Sequence, residues 1–158
     1  MTPSSDGKIA LLRHTVATLA YRGGRALRGA PAEFAGYGGS RTPGQILAHI
    51  CDLFDWALTI TDGKEAWHNS QSQAWDTDIA RFFALLEAFD RRLASRVPLG
   101  AEPERLFQGP VADALTHVGQ IAMLRRMAGC AVSGENYFVA KIEAGRVGGD
   151  QAAPVVEF

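Results

Sequence analysis

Apolar residues recur every three or four positions in four separate stretches, and this period limits the fold more than any other feature. The first stretch carries Ile9, Leu12, Val16, Leu19 and Ala20. The second carries Ile46, Leu47, Ile50, Leu53, Phe54, Ala57 and Leu58. The third runs Trp75, Ile79, Phe82, Phe83, Leu86, Phe89, Leu93 and Val97, and the fourth Val111, Ala114, Val118, Ile121, Ala122 and Arg125. Such spacing returns side chains to one face of an α-helix. No stretch alternates strongly enough for a sheet, and there is no internal repeat. Four helices of about 18–25 residues joined by loops of about 8–15 predict an all-α four-helix bundle. At 158 residues the chain is read as a single domain, residues 1–158, with the bundle over about 6–130 and a tail over 131–158.

Local signals set the expected helix ends. Asp6 is placed as N-cap of a first helix reaching Leu27, weakened by Gly23-Gly24 and closed at Gly29-Ala30-Pro31. Thr42-Pro43-Gly44-Gln45 has the form of a capping box with proline at the first helical position, and Thr61-Asp62-Gly63 ends that helix. Ser70-Gln71-Ser72-Gln73 offers overlapping caps for the third helix, which Val97-Pro98 stops. A loop over about 98–109 leads to the fourth, with Pro110 at its first position, Arg125 and Arg126 in its last turn, and Gly129 closing it. Beyond it, Glu135–Ala144 is a short helical candidate, and GRVGGDQAAPVVEF an extended end.

Composition removes several function classes. A formal net charge of −1 gives no footprint for nucleic acid. No apolar run approaches the roughly 20 residues of a membrane span, and the start MTPSSDGKIALL lacks the pattern of a secretory signal. Cys51 and Cys130 are too few for a disulfide scaffold and lack metal spacing, so they read as reduced structural thiols. A cytoplasmic location is expected.

Few residues carry chemistry. Asp113 and His117, four apart, stack one turn from each other, and a carboxylate and an imidazole at that spacing can hold one ion from a single helix. The same Asp113 in a first turn would also suit the helix dipole with no ion at all. His49 faces inward on the second helix, as a core histidine or a ligand, and Asp52 is placed to orient its ring. His14 falls off its stripe, and His68 lies among polar residues in the connection over about 64–71. Arg22, Arg25, Arg28 and Arg41 gather around the loop with Gly36, Gly38 and Gly39, as a solvated surface or a place for an anion. Those glycines match neither a P-loop nor a dinucleotide fingerprint.

With these residues placed, the chain resembles the DinB/YfiT-like superfamily of four-helix-bundle proteins. The likeness covers about residues 6–130. It rests on ILAHICDLFDWAL, with His49 near the start of the second helix, and on DALTHVGQIAMLRR in the fourth. His117, Gly119 and Gln120 match the end of the family's H-x3-H-x-Gly-Gln pattern, and Asp113 replaces its first histidine. The resemblance implies a divalent metal on His49, Asp113 and His117, with open positions for water and with Asp52 and Gln120 as supporting groups. Two nitrogens and one carboxylate suit zinc or nickel first, and manganese or iron next. Relatives that use low-molecular-weight thiols imply an S-transferase or isomerase, and others a hydrolase, acting on a small-molecule substrate as a homodimer. The homodimer is also expected from the wide apolar arcs of the second and third helices and from Trp56, Trp67 and Trp75 around one connection. The competing expectations are a non-catalytic helical-bundle protein, with a structural or vestigial metal site and a role in stress response or binding, and a small-ligand binder using the arginine loop.

Overall fold

In the computed structural model, which describes residues 5–158, four long helices account for most of the chain. They are α1 (Ser5–Leu27), α2 (Pro43–Thr61), α3 (Trp75–Ala94) and α4. The last is continuous but composite: Pro103–Leu106 is α-helical, Phe107–Val111 is a π turn, and Ala112–Met127 is α-helical again. Among the described residues the nearest thing to a sheet is one isolated bridge, Glu135 to Glu157. Both α1 and α2 pack against α3 and α4, which closes a bundle around the side chains of Leu19, Leu47, Phe54, Phe82, Phe89 and Ile121. No helix among the described residues is long and apolar enough to cross a membrane.

The α2 start forms as its sequence predicts. Thr42 Oγ1 accepts from the Gln45 amide at 3.3 Å, Gln45 Oε1 accepts from the Thr42 amide at 3.0 Å, and Pro43 opens the helix. Gly63, at φ +69°, closes it. Elsewhere the structure corrects the expected borders. Asp6 lies within the first turn of α1 rather than at its N-cap. The α1 helix continues through Gly23-Gly24, and a Cβ at Gly23 would come within 2.6 Å of the Phe82 ring, so the glycine gives α3 room to approach. Ala74 precedes α3 with no capping side chain, and Asp78 Oδ2 accepts from the Gln73 amide instead. The α3 helix stops at Ala94, which leaves Val97 exposed.

The largest correction is in α4. The helix starts at Pro103, seven residues before the expected position, and Pro110 falls inside it. A proline there lacks an amide hydrogen and crowds the carbonyl four residues back, and the π turn absorbs both defects by taking up one extra residue. Asp113 is therefore not in the first turn of the physical helix, and the dipole has little claim on it. Ala122, expected on the inner stripe, is exposed, whereas His117 is buried there.

Two arginines cap other helices. Arg125 is buried, and its Nη1 donates to the carbonyls of Ala26 at 3.1 Å and Arg28 at 2.6 Å, at the C-terminus of α1. Arg92 Nη2 donates to the Thr61 carbonyl at 2.8 Å, at the end of α2. Each guanidinium satisfies carbonyls that a helix end leaves unpaired.

The tail is not helical over Glu135–Ala144; only Tyr137–Val139 makes a 3-10 turn, capped by Asn136. Its anchor is Glu135, which is buried and accepts from the Tyr21 hydroxyl and pairs with Arg25 Nε at 2.9 Å. Burial, then the Glu135 contact, pushes the Tyr21 phenol up to about 12. Three of the four arginines expected around the loop have partners of their own. Arg25 pairs with Glu135 and Glu157, Arg22 lies 4.2 Å over the Tyr137 ring, and Arg28 lies 5.7 Å over Phe83.

Candidate metal centre

The inner faces of α2 and α4 bring three side chains together. His49, Asp113 and His117 each offer one ligand atom, and these atoms all lie within 4.8 Å of one another. His49 Nε2 is 3.6 Å from Asp113 Oδ2, and His117 Nδ1 is 3.3 Å from Asp113 Oδ1. The two imidazole centroids are 4.7 Å apart. Ligand atoms at the corners of a tetrahedral site stand about 3.4 Å from each other, given metal–ligand bonds of about 2.1 Å. The distance from His49 Nε2 to Asp113 Oδ2 is close to that spacing.

His117 Nδ1 is 2.8 Å from the carbonyl oxygen of Asp113. A carbonyl only accepts, so Nδ1 carries the proton and Nε2 keeps its lone pair for a ligand. This backbone carbonyl does what was expected of a supporting side chain: it fixes the ring and its tautomer. Burial first, then the neighbouring His117 and Arg41, holds the His49 pKa below its ordinary 6.5, against the opposing pull of Asp113. His49 is thus neutral near pH 7, the form that binds a metal. Side-chain exposure rises across the group, from 8% at His117 through 24% at His49 to 46% at Asp113. One side of the site therefore faces solvent, as open coordination positions require.

Neither expected supporting residue touches the site. Asp52 is buried and turned away, accepting from the Ser70 amide at 2.9 Å, the Ser70 hydroxyl at 2.7 Å and Arg81 Nη2 at 2.9 Å. Gln120 is exposed, and no hydrogen bond joins it to the ligands among the described residues. His14 is exposed on α1, and His68 bonds Asp55 Oδ2 at 2.7 Å, so neither joins the cluster. Cys51 is buried with its thiol pushed up to about 12, chiefly by burial, and donates to the Asp78 carbonyl; Cys130 is also free. No family model matches the chain, and neither a curated protein nor a solved structure matches it.

One feature of the site escaped sequence reasoning. The connection between α2 and α3 lies along α2 in reverse, tied Thr59 to Ala66, Asp55 to His68 and Asp52 to Ser70. This fastening sets Trp67 against His49, with ring centroids 5.7 Å apart, and edge-on to Trp56 at 5.9 Å. The row Asp52, Asp55, Thr59 on one side of α2 was the available signal, because its polar members repeat at helical spacing on an otherwise apolar helix.

Proposed function

We propose that the chain is a divalent-metal-dependent enzyme whose ion is held by His49, Asp113 and His117 and whose substrate is a small molecule, either a thiol or a compound attacked by water. The convergence of the three ligand atoms, with His117 already held in the ligating tautomer, carries this reading. His49 and His117 offer neutral nitrogens, and Asp113 offsets one of the two positive charges while leaving the others to polarise what binds at the open side. A divalent ion there supplies Lewis acidity, bringing the pKa of a bound thiol or water towards neutrality. Zinc or nickel suits this donor set first, and manganese or iron next.

Membership of the DinB/YfiT-like superfamily belongs to the same proposal. It is supported by the helix order, by His49 near the start of α2, and by Asp113, His117, Gly119 and Gln120 in sequence on α4. The proposed assembly is a homodimer. The apolar arc of α2 is spent inside the bundle, so the side chains available for contact are exposed ones such as Met123, Met127 and Phe138. Light scattering at micromolar concentration is expected to give twice the chain mass, and a monomer mass removes the dimer.

The functional test is metal analysis of untagged protein followed by a panel of low-molecular-weight thiols with electrophilic acceptors, and of hydrolysable esters. Wild type is expected to carry about one ion per chain and to turn over at least one pair. Asp113→Ala is expected to lose both ion and turnover with its helical signal intact. Equal rates in the two proteins would leave a non-catalytic bundle.

A further inference from the structure

Beside Asp113 the surface opens into a cleft of about 420 Å³, a size within the usual range for small-molecule pockets. Leu53 and Trp56 of α2 form one wall, and Gly109 and Ala112 of α4 the other. The remaining lining is Gln108 and Thr116, both uncharged, and the Thr116 hydroxyl is engaged with the Ala112 carbonyl at 3.1 Å. Asp113 is the only charged residue of the lining, and it is a proposed ligand.

Gly109 is the informative member. It lies in the π turn, and its φ is negative, so the backbone there does not require glycine. A Cβ on it would stand 3.9 Å from two atoms of the Trp56 six-membered ring, an ordinary contact with no clash. A longer side chain at 109 would consequently lie on that ring and fill the cleft. The absence of one leaves the outer part of an indole open, next to the ion site and within an uncharged surround. Trp56 is meanwhile held in place, with Nε1 donating to Glu65 Oε1 at 3.1 Å and with Trp67 edge-on against it. A fixed aromatic wall exposed on one face is a surface for a ring.

We propose that the cleft between Trp56 and Gly109 is the subsite for an uncharged aromatic ring of a ligand whose donor atom joins the ion at His49, Asp113 and His117. The inference rests on the metal reading above and narrows it to substrates with an apolar, ring-bearing body. A ligand whose body is itself charged finds no arginine or lysine in the lining.

The test uses cobalt-loaded protein and three thiols with the same donor atom: benzyl mercaptan, ethanethiol and mercaptoacetate. The cobalt–thiolate absorption band reports the donor atom, and tryptophan fluorescence reports the ring. Benzyl mercaptan is expected to bind at least tenfold more tightly than either other thiol and to quench the fluorescence. Gly109→Leu is expected to reduce that preference to about one without changing ethanethiol affinity or cobalt content. Trp56→Ala is a second variant with the same expected loss of preference. Failure of cobalt to bind at all would overturn the metal reading. Cobalt binding with no preference for the ring, or a preference that survives both variants, would overturn the subsite and leave the metal reading standing.

Discussion

His49 and His117 face each other across the α2–α4 interface with ring centroids 4.7 Å apart, and the neighbouring ring disfavours a proton on His49. Burial adds to this at His49, whose folded pKa lies below the ordinary 6.5. A lowered folded pKa means that the unfolded chain takes up the proton first. The stability due to neutral His49 is full above pH 6.5 and is lost as pH falls towards and through its folded value. Metal-free wild type is therefore expected to lose more melting temperature between pH 7.5 and 5.5 than His49→Gln. Parallel pH profiles would contradict this.

Metal retention should follow the same protons. The His49 imidazole must be neutral to bind, so affinity is expected to fall as pH drops through its lowered folded pKa. Separately, His117→Ala should lower affinity by about a hundredfold or more, since losses of 10–100-fold already follow from weaker supporting contacts. Isothermal titration with zinc at two pH values measures both effects.

Asp52 gives the opposite expectation. Its carboxylate holds the Ser70 amide, the Ser70 hydroxyl and Arg81, and it makes no bond to His49. Asp52→Ala should cost about 2–4 kcal/mol, because it strands a largely covered guanidinium and a backbone amide. Metal stoichiometry in the folded variant is expected to stay at the wild-type value. Loss of the ion would mean that the connection carrying Trp67 governs the ligands directly.

How far these contacts could be read beforehand depended on the distance between partners in sequence. The four helices and the α2 capping box are local patterns, written within one or two turns, and they formed, although α1, α3 and α4 have other ends than expected. His49, Asp113 and His117 were visible as inward or paired polar residues on apolar stripes. The reach of Asp52 to Arg81, of Glu135 to Tyr21 and of Arg125 to Arg28 spans 29, 114 and 97 positions. No periodicity encodes such pairings, because they follow from which helices become neighbours. The π turn was illegible for another reason: Pro110 reads as a helix start whenever the extra residue that rescues it cannot be counted.

Arg125 supplies a stability prediction. Its Nη1 bonds to α1 carbonyls and its Nε bonds to the Cys130 carbonyl at 2.9 Å. Arg125→Met should keep much of the packing yet leave these buried acceptors unpaired, costing about 2–4 kcal/mol. Urea denaturation of the two proteins checks the figure, and a change under about 0.5 kcal/mol would mean that water replaces the guanidinium.

The cysteines should be unequal and dispensable for the metal. Cys51 is buried with a thiol pushed up to about 12, whereas Cys130 is partly exposed. A disulfide reagent added to native protein is expected to modify Cys130 and spare Cys51 until unfolding. The double change to serine should leave metal content unaltered.

The surplus residue at Phe107–Val111 makes α4 two helices in phase although one in covalent continuity. Upstream, Leu106 keys into the core and Glu104 meets Lys8 of α1; downstream, Asp113 and His117 face α2. In an uninterrupted α-helix one angular register would have to serve both halves, about 100° away from what one of them needs. Removing a single residue from the turn would thus act as a rotation, swinging the ligand pair off the α2 face while every side chain of the site remained in the sequence. The geometry of the centre is in that sense specified by a count of residues as much as by their kinds.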